Sequence, residues 1–237
     1  SGMRDLGYTT YSIHPESATN WNRDRVYQYL GFEHSIWIED FPGAEKVHYG
    51  VTDLETYKKV EEIFENRQED ERLFLFNLTV QNHGGYSESD VNRSVTASIV
   101  ASEEADIYLY LIRDSDRAFE QLIRYFEKQT EPVIICMYGD HQPKLSDDFY
   151  EKVYSQTEGI EEREKRLNMY KVPFVIWANY DIPEQAELDI GMSYLGGLLL
   201  DVAGIPKSSY FSFLNQYREE YPIITINGYE DGEGNFY

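Results

Sequence analysis

The chain has 237 residues, 41% hydrophobic and 15% aromatic, with 43 acidic against 21 basic side chains and a formal charge of −22. That length supports one large core, or one domain with a small appendage, and the acidic excess repels a polyanion, so no nucleic-acid partner is expected. A single cysteine excludes an internal disulfide and a Cys₂His₂ zinc site, and no run reaches the roughly 18 apolar residues of a membrane span.

Short apolar β-rich runs alternate with helical patterns, which predicts α/β layering around a mainly parallel sheet. Tyr8 to Ile13 reads as the first strand and Arg23 to Leu30 as a short helix closed by Gly31. Asp53 to Asn66 follows as a helix, with Asp53 as its N-cap and Leu54, Tyr57, Val60 and Phe64 on one face. Leu73 to Val80 is a near-continuous apolar run, read as a strand that delivers Gln81-Asn82-His83-Gly84-Gly85-Tyr86 at its end. A long helix is predicted from about Ser102 to Lys128, with the stripe Ile107, Leu111, Ile112, Phe119, Leu122, Ile123 and Phe126.

Pro132 to Tyr138 reads as the most central strand and delivers Gly139-Asp140-His141-Gln142-Pro143; Cys136 within it reads as a buried small hydrophobe. Residues 144–170 are charged and read as a surface excursion with a helix. Val172 to Ala178 is a further strand, Tyr194 to Ala203 a helix closed by Gly204, and Tyr210 to Tyr221 another helix. The segment Ile223 to Tyr237 reads as a hairpin around Asp231-Gly232-Glu233-Gly234. The sequons at Asn77-Leu78-Thr79 and Asn92-Arg93-Ser94 read as chance matches.

Two polar clusters, Asn82-His83 and Asp140-His141, sit just past apolar strands, where open α/β sheets bind ligands. Asp140 offers a hard oxygen and His141 an imidazole nitrogen, a pairing that suits Mn²⁺ or Zn²⁺ better than Ca²⁺. The competing reading is a turn at Gly139-Asp140 capped by His141, and a lone His83 is equally a solvated loop residue. His14, His34 and His48 have no evident partners, although His14 adjoins the Trp21 segment. On residue type alone, Trp21 is a hydrophobic staple for the next helix, and Arg23 a surface ion pair with Asp24 or Glu16.

Tyr138-Gly139-Asp140-His141-Gln142-Pro143 resembles the signature of the lipoteichoic acid synthase and sulfatase-like family of the alkaline phosphatase superfamily. Gly7-Tyr8, Ile13-His14-Pro15, Trp21-Asn22-Arg23-Asp24 and Tyr29-Leu30-Gly31-Phe32 match the family's segments in order. So do Val80 to Tyr86, Ser115-Asp116, Val172 to Trp177, Ala203 to Pro206 and Tyr221 to Ile224. The ordered set covers essentially the whole chain.

The resemblance implies an alkaline-phosphatase/sulfatase-like fold with a mostly parallel sheet flanked by helices, present as one partial domain over residues 1–237 with a C-terminal hairpin. It implies a divalent metal, Mn²⁺ foremost with Zn²⁺, Mg²⁺ or Ca²⁺ as alternatives, with Asp140 and His141 as two ligands. His83 contacts the phosphate or incoming group, and Trp21, Arg23 and, more loosely, Glu16 line a glycerol-phosphate pocket. A nucleophilic threonine and a metal-binding glutamate lie in the family upstream of the segment that begins here at Gly7. Upstream membrane-spanning and nucleophile-bearing segments are therefore expected as partners, and Ser1-Gly2-Met3 reads as a vector-derived remnant. The implied activity is phosphoglycerol transfer from a glycerophospholipid to an envelope polymer, at the outer face of a bacterial membrane. The alternatives are an extracellular sulfatase or phosphodiesterase, and a non-catalytic binding module. Cys136 lacks the C-x-P-x-R context of a formylglycine precursor. With half its metal site, the chain is expected to be inactive by itself and to bind metal weakly. A sheet lacking strands exposes an apolar edge, so the chain is also expected to dimerise or to be marginally stable.

Overall fold

The computed structural model describes residues 2–48, 50–86, 94–98, 100–156, 159, 162–226, 228–235 and 237. Two units are distinguished, residues up to Phe126 with Asp140–Val172, and Glu127–Gly139 with Pro173–Tyr237.

The first unit runs α1 (Gly2–Asp5), β1 (Tyr8–Ile13), α2 (Arg23–Leu30), β2 (His34–Ile36), β3 (Lys46–Val47), β4 (Gly50–Val51), α3 (Asp53–Glu65), β5 (Arg72–Asn77), α4 (Glu103–Phe126), α5 (Asp147–Ser155) and α6 (Glu162–Asn168). β1 is the middle strand of a parallel sheet of order β2-β1-β5, in register from Tyr8↔Arg72 to Ile13↔Asn77, so β1 and β5 end at one level. Thr10, Ser12 and Ile13 of β1 are buried and Tyr8, Thr9 and Tyr11 partly so, which leaves neither face of the strand open to solvent, as in a parallel sheet. The Thr10 hydroxyl donates to the Gly31 carbonyl at 2.9 Å and Ser12 to the Ser35 hydroxyl at 2.8 Å, which satisfies both.

α2 stops at Gly31, whose φ of 91° lies in the left-handed region open to glycine. α4 buries Ala105, Ile107, Leu111, Ala118, Leu122 and Phe126 at helical spacing. It packs on α3 edge-to-face, Phe64 on Phe126 at 5.1 Å and Tyr57 on Phe119 at 6.4 Å. Tyr86, Ala105, Ile107, Leu111 and Leu145 form a core cluster.

In the second unit, β6 (Ile134–Tyr138) and β7 (Phe174–Ala178) pair antiparallel, Ile134 opposite Ala178. α7 (Met192–Val202) lies on α8 (Ser209–Glu220) at close range, because a Cβ on Gly197 would come 2.8 Å from Asn215 Oδ1. A hairpin of β8 (Ile223–Thr225) and β9 (Gly228–Glu230) follows. Among the described residues no helix is long and apolar enough to cross a membrane.

Several sequence expectations are corrected. The cap of α3 is Thr52, whose hydroxyl accepts from the Glu55 amide at 3.4 Å, while Asp53 is buried and serves elsewhere. Pro132 to Tyr138 is not a central strand among the described residues: β6 pairs with β7 alone, because an apolar run reports burial and not the number of neighbours. β5 stops at Asn77, and Leu78 to Val80 begin the loop. Residues 144–170 hold two described helices, α5 and α6. The hairpin turns between Thr225 and Gly228, and Asp231 to Gly234 forms a separate turn closed by the Gly234 amide on the Asp231 carbonyl at 3.0 Å. Cys136 is half-buried and burial pushes its thiol up to about 11, the inert behaviour of a small hydrophobe. Asn92 and Arg93 of the second sequon lie outside the described residues.

Candidate functional site

The first group of site residues hangs from the end of β1. His14 follows Ile13 directly and is 3% exposed. Its Nδ1 lies 2.8 Å from the Leu78 carbonyl, which can only accept, so Nδ1 carries the proton and Nε2 presents a lone pair. Nε2 is buried without a hydrogen-bond partner. Burial lowers the His14 pKa, the Leu78 bond opposes that, and the charges of Arg23 and Glu16 act in opposite senses on the ring. His14, Glu16 and Arg23 therefore share one locale. Glu16 is oriented by Asn20, whose Nδ2 donates to it at 2.5 Å, and Arg23 hydrogen-bonds the Tyr27 hydroxyl. Among the described residues no ion pair joins Arg23 to Asp24 or Glu16, so the surface-pair reading fails.

Trp21 is 84% exposed, with φ 57° and ψ 21°, and Asn22 follows at φ 52° and ψ 34°. Two successive non-glycine residues in the left-handed region cost on the order of 1 kcal/mol each. The Asn22 amide on Thr19 (3.1 Å) and the Asp24 amide on Ala18 (2.9 Å) hold the conformation. An indole held outward by strained backbone is not the hydrophobic staple that its residue type suggested.

The second group sits in the loop after β5, at the same sheet edge. Gln81 is fully buried: its Oε1 accepts from the Asp53 amide at 2.8 Å, and its Nε2 donates to the Leu111 carbonyl and Asp114 Oδ2, each at 3.2 Å. Asn82 Nδ2 donates to Ser115 Oγ at 2.8 Å, and Ser115 donates to Asp53 Oδ2 at 2.6 Å. Burial pushes the Asp53 carboxyl up to about 6, against the Ser115 and Thr79 hydrogen bonds. This buried network fixes the two residues before His83 and leaves the His83 side chain exposed. His48 Nε2 donates to the His83 carbonyl at 3.2 Å and its ring stacks on Tyr86 at 5.8 Å. Tyr86 donates to the Asn82 carbonyl at 2.8 Å. Its phenol is raised chiefly by burial, then by Tyr108 and Tyr150, with Asp140 the smallest contributor.

Asp140 and His141 follow β6 through Gly139. His141 Nε2 lies 3.5 Å from Asp140 Oδ2, and the His141 amide donates to Asp140 Oδ1 at 2.9 Å. His141 Nδ1 is 2.9 Å from the Gln142 carbonyl, which fixes the tautomer with a lone pair on Nε2. Two ligand atoms at about 2.1 Å from one ion stand about 3.0–3.4 Å apart, slightly closer than the 3.5 Å between His141 Nε2 and Asp140 Oδ2. Among the described residues no group of three His, Cys, Asp or Glu could hold an ion.

Sequence reading found no partner for His14 or His48, although it set His14 beside the Trp21 segment. Their anchors are backbone carbonyls 64 and 35 positions away, a relation with no local pattern.

The sulfatase family model matches residues 2–205. A Rhizobium meliloti protein assigned to cyclic β-1,2-glucan modification is 25% identical over 94% of this chain and 36% of its own length. The capsular polysaccharide biosynthesis protein RkpI of the same organism is 31% identical over 60% of the chain and 26% of its own. A lipoteichoic acid synthase of Staphylococcus saprophyticus is 24% identical over 57% and 21%. The Streptococcus pyogenes phosphoglycerol transferase GacH, solved with sn-glycerol-1-phosphate, superposes with a TM-score of 0.72 at 21% identity, covering 91% of this chain and 55% of that one. The chain thus spans about a third of the first relative and about half of the solved neighbour. With a family model spanning most of its length and this parallel sheet beneath the candidate site, the chain belongs to the sulfatase family.

Proposed function

We propose that this chain is part of a metal-dependent phosphoglycerol transferase of the lipoteichoic acid synthase type, working on cell-envelope glycerophospholipid or polymer at the outer face of a bacterial membrane. The observation that carries the reading is the buried His14, its pKa lowered chiefly by burial, with the charges of Arg23 and Glu16 acting on its ring and an exposed Trp21 indole two residues before Arg23 on strained backbone. Such a set of side chains suits a small polyol phosphate. The Arg23 fork grips phosphate oxygens, Trp21 offers a flat wall to the carbon chain, and the buried His14 supports the backbone that carries them.

His83, exposed on a fixed loop, donates to a non-bridging oxygen or protonates a leaving alkoxide. Asp140 and His141 hold the ion, with Mn²⁺ favoured by the mixed oxygen and nitrogen set; when bound, it polarises a phosphoryl oxygen and lowers the pKa of the attacking hydroxyl. In this reading the nucleophile, a threonine forming a covalent phospho-enzyme, and the remaining ligands come from upstream segments of the same protein. The names of the two Rhizobium meliloti relatives support a saccharide-bearing acceptor.

The pocket is tested by titrating the chain with sn-glycerol-1-phosphate while following its amide and indole resonances. Shifts are expected at His14, Trp21 and Arg23 and are lost in Arg23→Ala. Equal shifts with inorganic sulfate and no glycerol dependence would favour sulfate-ester hydrolysis instead.

A further inference from the structure

The second unit carries an aromatic ladder that the phosphoglycerol reading leaves unused. Phe213 and Tyr217 of α8, Tyr221 at its end, Tyr229 of β9 and Tyr237 meet ring to ring, at successive centroid distances of 4.6, 6.3, 5.4 and 5.2 Å. These rings pack on one another and stay open to solvent: Phe213 is 51% exposed, Tyr217 44%, Tyr229 40% and Tyr237 63%. A run of large exposed aromatics is a binding surface far more often than an accident.

At the Tyr237 end the ladder borders an open cavity of ≈ 500 Å³, lined by Tyr221, Tyr229 and Tyr237 with Glu220, Asp231 and Glu233. Its walls are held by backbone. Tyr229 and Tyr237 exchange amide–carbonyl bonds of 3.1 and 2.8 Å, and the Gly232 amide donates to the Glu220 carbonyl at 2.8 Å. A Cβ on Gly232 would come 3.0 Å from the Glu219 carbonyl, so the turn seats closely against the end of α8. The rings are therefore set before any ligand arrives, which lowers the ordering cost of binding.

Asp231 is spent on its own turn, accepting from the Glu233 and Asn235 amides at 3.0 and 2.8 Å, which leaves the Glu219 and Glu233 carboxylates of the lining facing outward. We propose that this ladder and its cavity bind a neutral glycan chain, with successive sugar rings laid on the tyrosines and the Glu219 and Glu233 carboxylates accepting from sugar hydroxyls. Pyranose rings offer flat C–H faces to an aromatic plane, and a carboxylate with two oxygens accepts from paired hydroxyls. The same carboxylates repel phosphate polymers and anionic headgroups, so this surface does not serve the phosphorylated substrate. An apolar lipid tail would strip water from Glu219 and Glu233 without replacing their hydrogen bonds. The proposal deepens the transferase reading by giving the acceptor its binding surface, and it rests on that reading for the acceptor role alone.

The experiment is calorimetric titration of the chain with linear and cyclic β-glucan oligosaccharides, with oligolysine and a glycerol-phosphate oligomer as controls. Glycan binding in the millimolar range or tighter is expected, about tenfold weaker in Tyr229→Ala and in Tyr237→Ala and retained in Tyr237→Phe, where the ring persists. Unchanged circular dichroism and melting temperature in Tyr237→Ala separate lost binding from lost folding. No heat with any neutral glycan at millimolar concentration overturns the proposal, as does glycan binding that survives both alanine variants. Oligolysine binding that the tyrosine variants abolish, with no glycan response, overturns it in favour of a cationic partner. Glycan binding intact in a protein that transfers no phosphoglycerol would sink the transferase reading and leave the glycan surface standing.

Discussion

The Ser115 hydroxyl donates to the buried Asp53 carboxylate at 2.6 Å, and the same oxygen accepts from Asn82 at 2.8 Å, one residue before His83. A side chain on α4 and another at the start of α3 thus fix the geometry of a candidate catalytic loop from beneath, without touching the solvent that His83 meets.

Asp53 makes stability depend on pH in the sense opposite to an ordinary ion-paired carboxylate. Its folded pKa is raised, chiefly by burial, from 3.8 to about 6, so between those values the folded chain holds the proton more tightly than the unfolded chain. The Asp53 contribution therefore falls as pH rises from 4 to 6 and is regained on acidification, by at most about 3 kcal/mol. The change in urea stability between pH 4.5 and 7 is expected to differ between the wild type and Asp53→Asn by up to this increment, His14 contributing equally to both.

Ser115→Ala leaves both Asp53 and Asn82 short of a partner. A loss of about 1–3 kcal/mol at pH 7 is expected in chemical denaturation, with faster hydrogen exchange from Gln81 to His83. An unchanged exchange pattern would mean that the loop is held by other contacts.

His14 acts in the contrary direction on acidification. Its folded pKa is lowered, first by burial, so the unfolded chain takes up the proton first as pH falls below 6.5. Its contribution is complete above that value and is lost as pH drops toward the folded pKa. Imidazole resonances should show His14 still neutral, with the proton on Nδ1, at a pH where an unfolded histidine is mostly charged.

Asn22→Gly relieves one left-handed residue and is expected to raise stability by about 0.5–1 kcal/mol. Trp21→Ala removes an exposed ring and should leave stability within about 0.5 kcal/mol, while weakening sn-glycerol-1-phosphate binding. A large destabilisation by Trp21→Ala would show that the indole anchors the fold.

The pattern of alternating strands and helices was legible because β1, α2, α3 and α4 each carry their period and their stops locally; Gly31, for instance, marks the end of α2 in sequence as it does in space. Strand partners were not legible, since the run before Asp140 is apolar whether its neighbours are many or one, parallel or antiparallel. The candidate site divides in the same way. Asp140 and His141 are adjacent in sequence and meet at 3.5 Å, whereas the support under His83 joins Asp53, Asn82 and Ser115 across 62 positions. No spacing rule relates those three; only the packing of α3 against α4 brings them together.

The central claim is that Arg23 and the Asp140–His141 couple serve phosphoglycerol transfer, and the direct measurement is turnover by the full-length protein in Mn²⁺, on phosphatidylglycerol against an aryl sulfate. Release of diacylglycerol is predicted, abolished in Asp140→Ala and reduced about a hundredfold in kcat/KM in Arg23→Ala. Hydrolysis of the sulfate ester with phosphatidylglycerol left intact, or full activity in Asp140→Ala, would contradict the account.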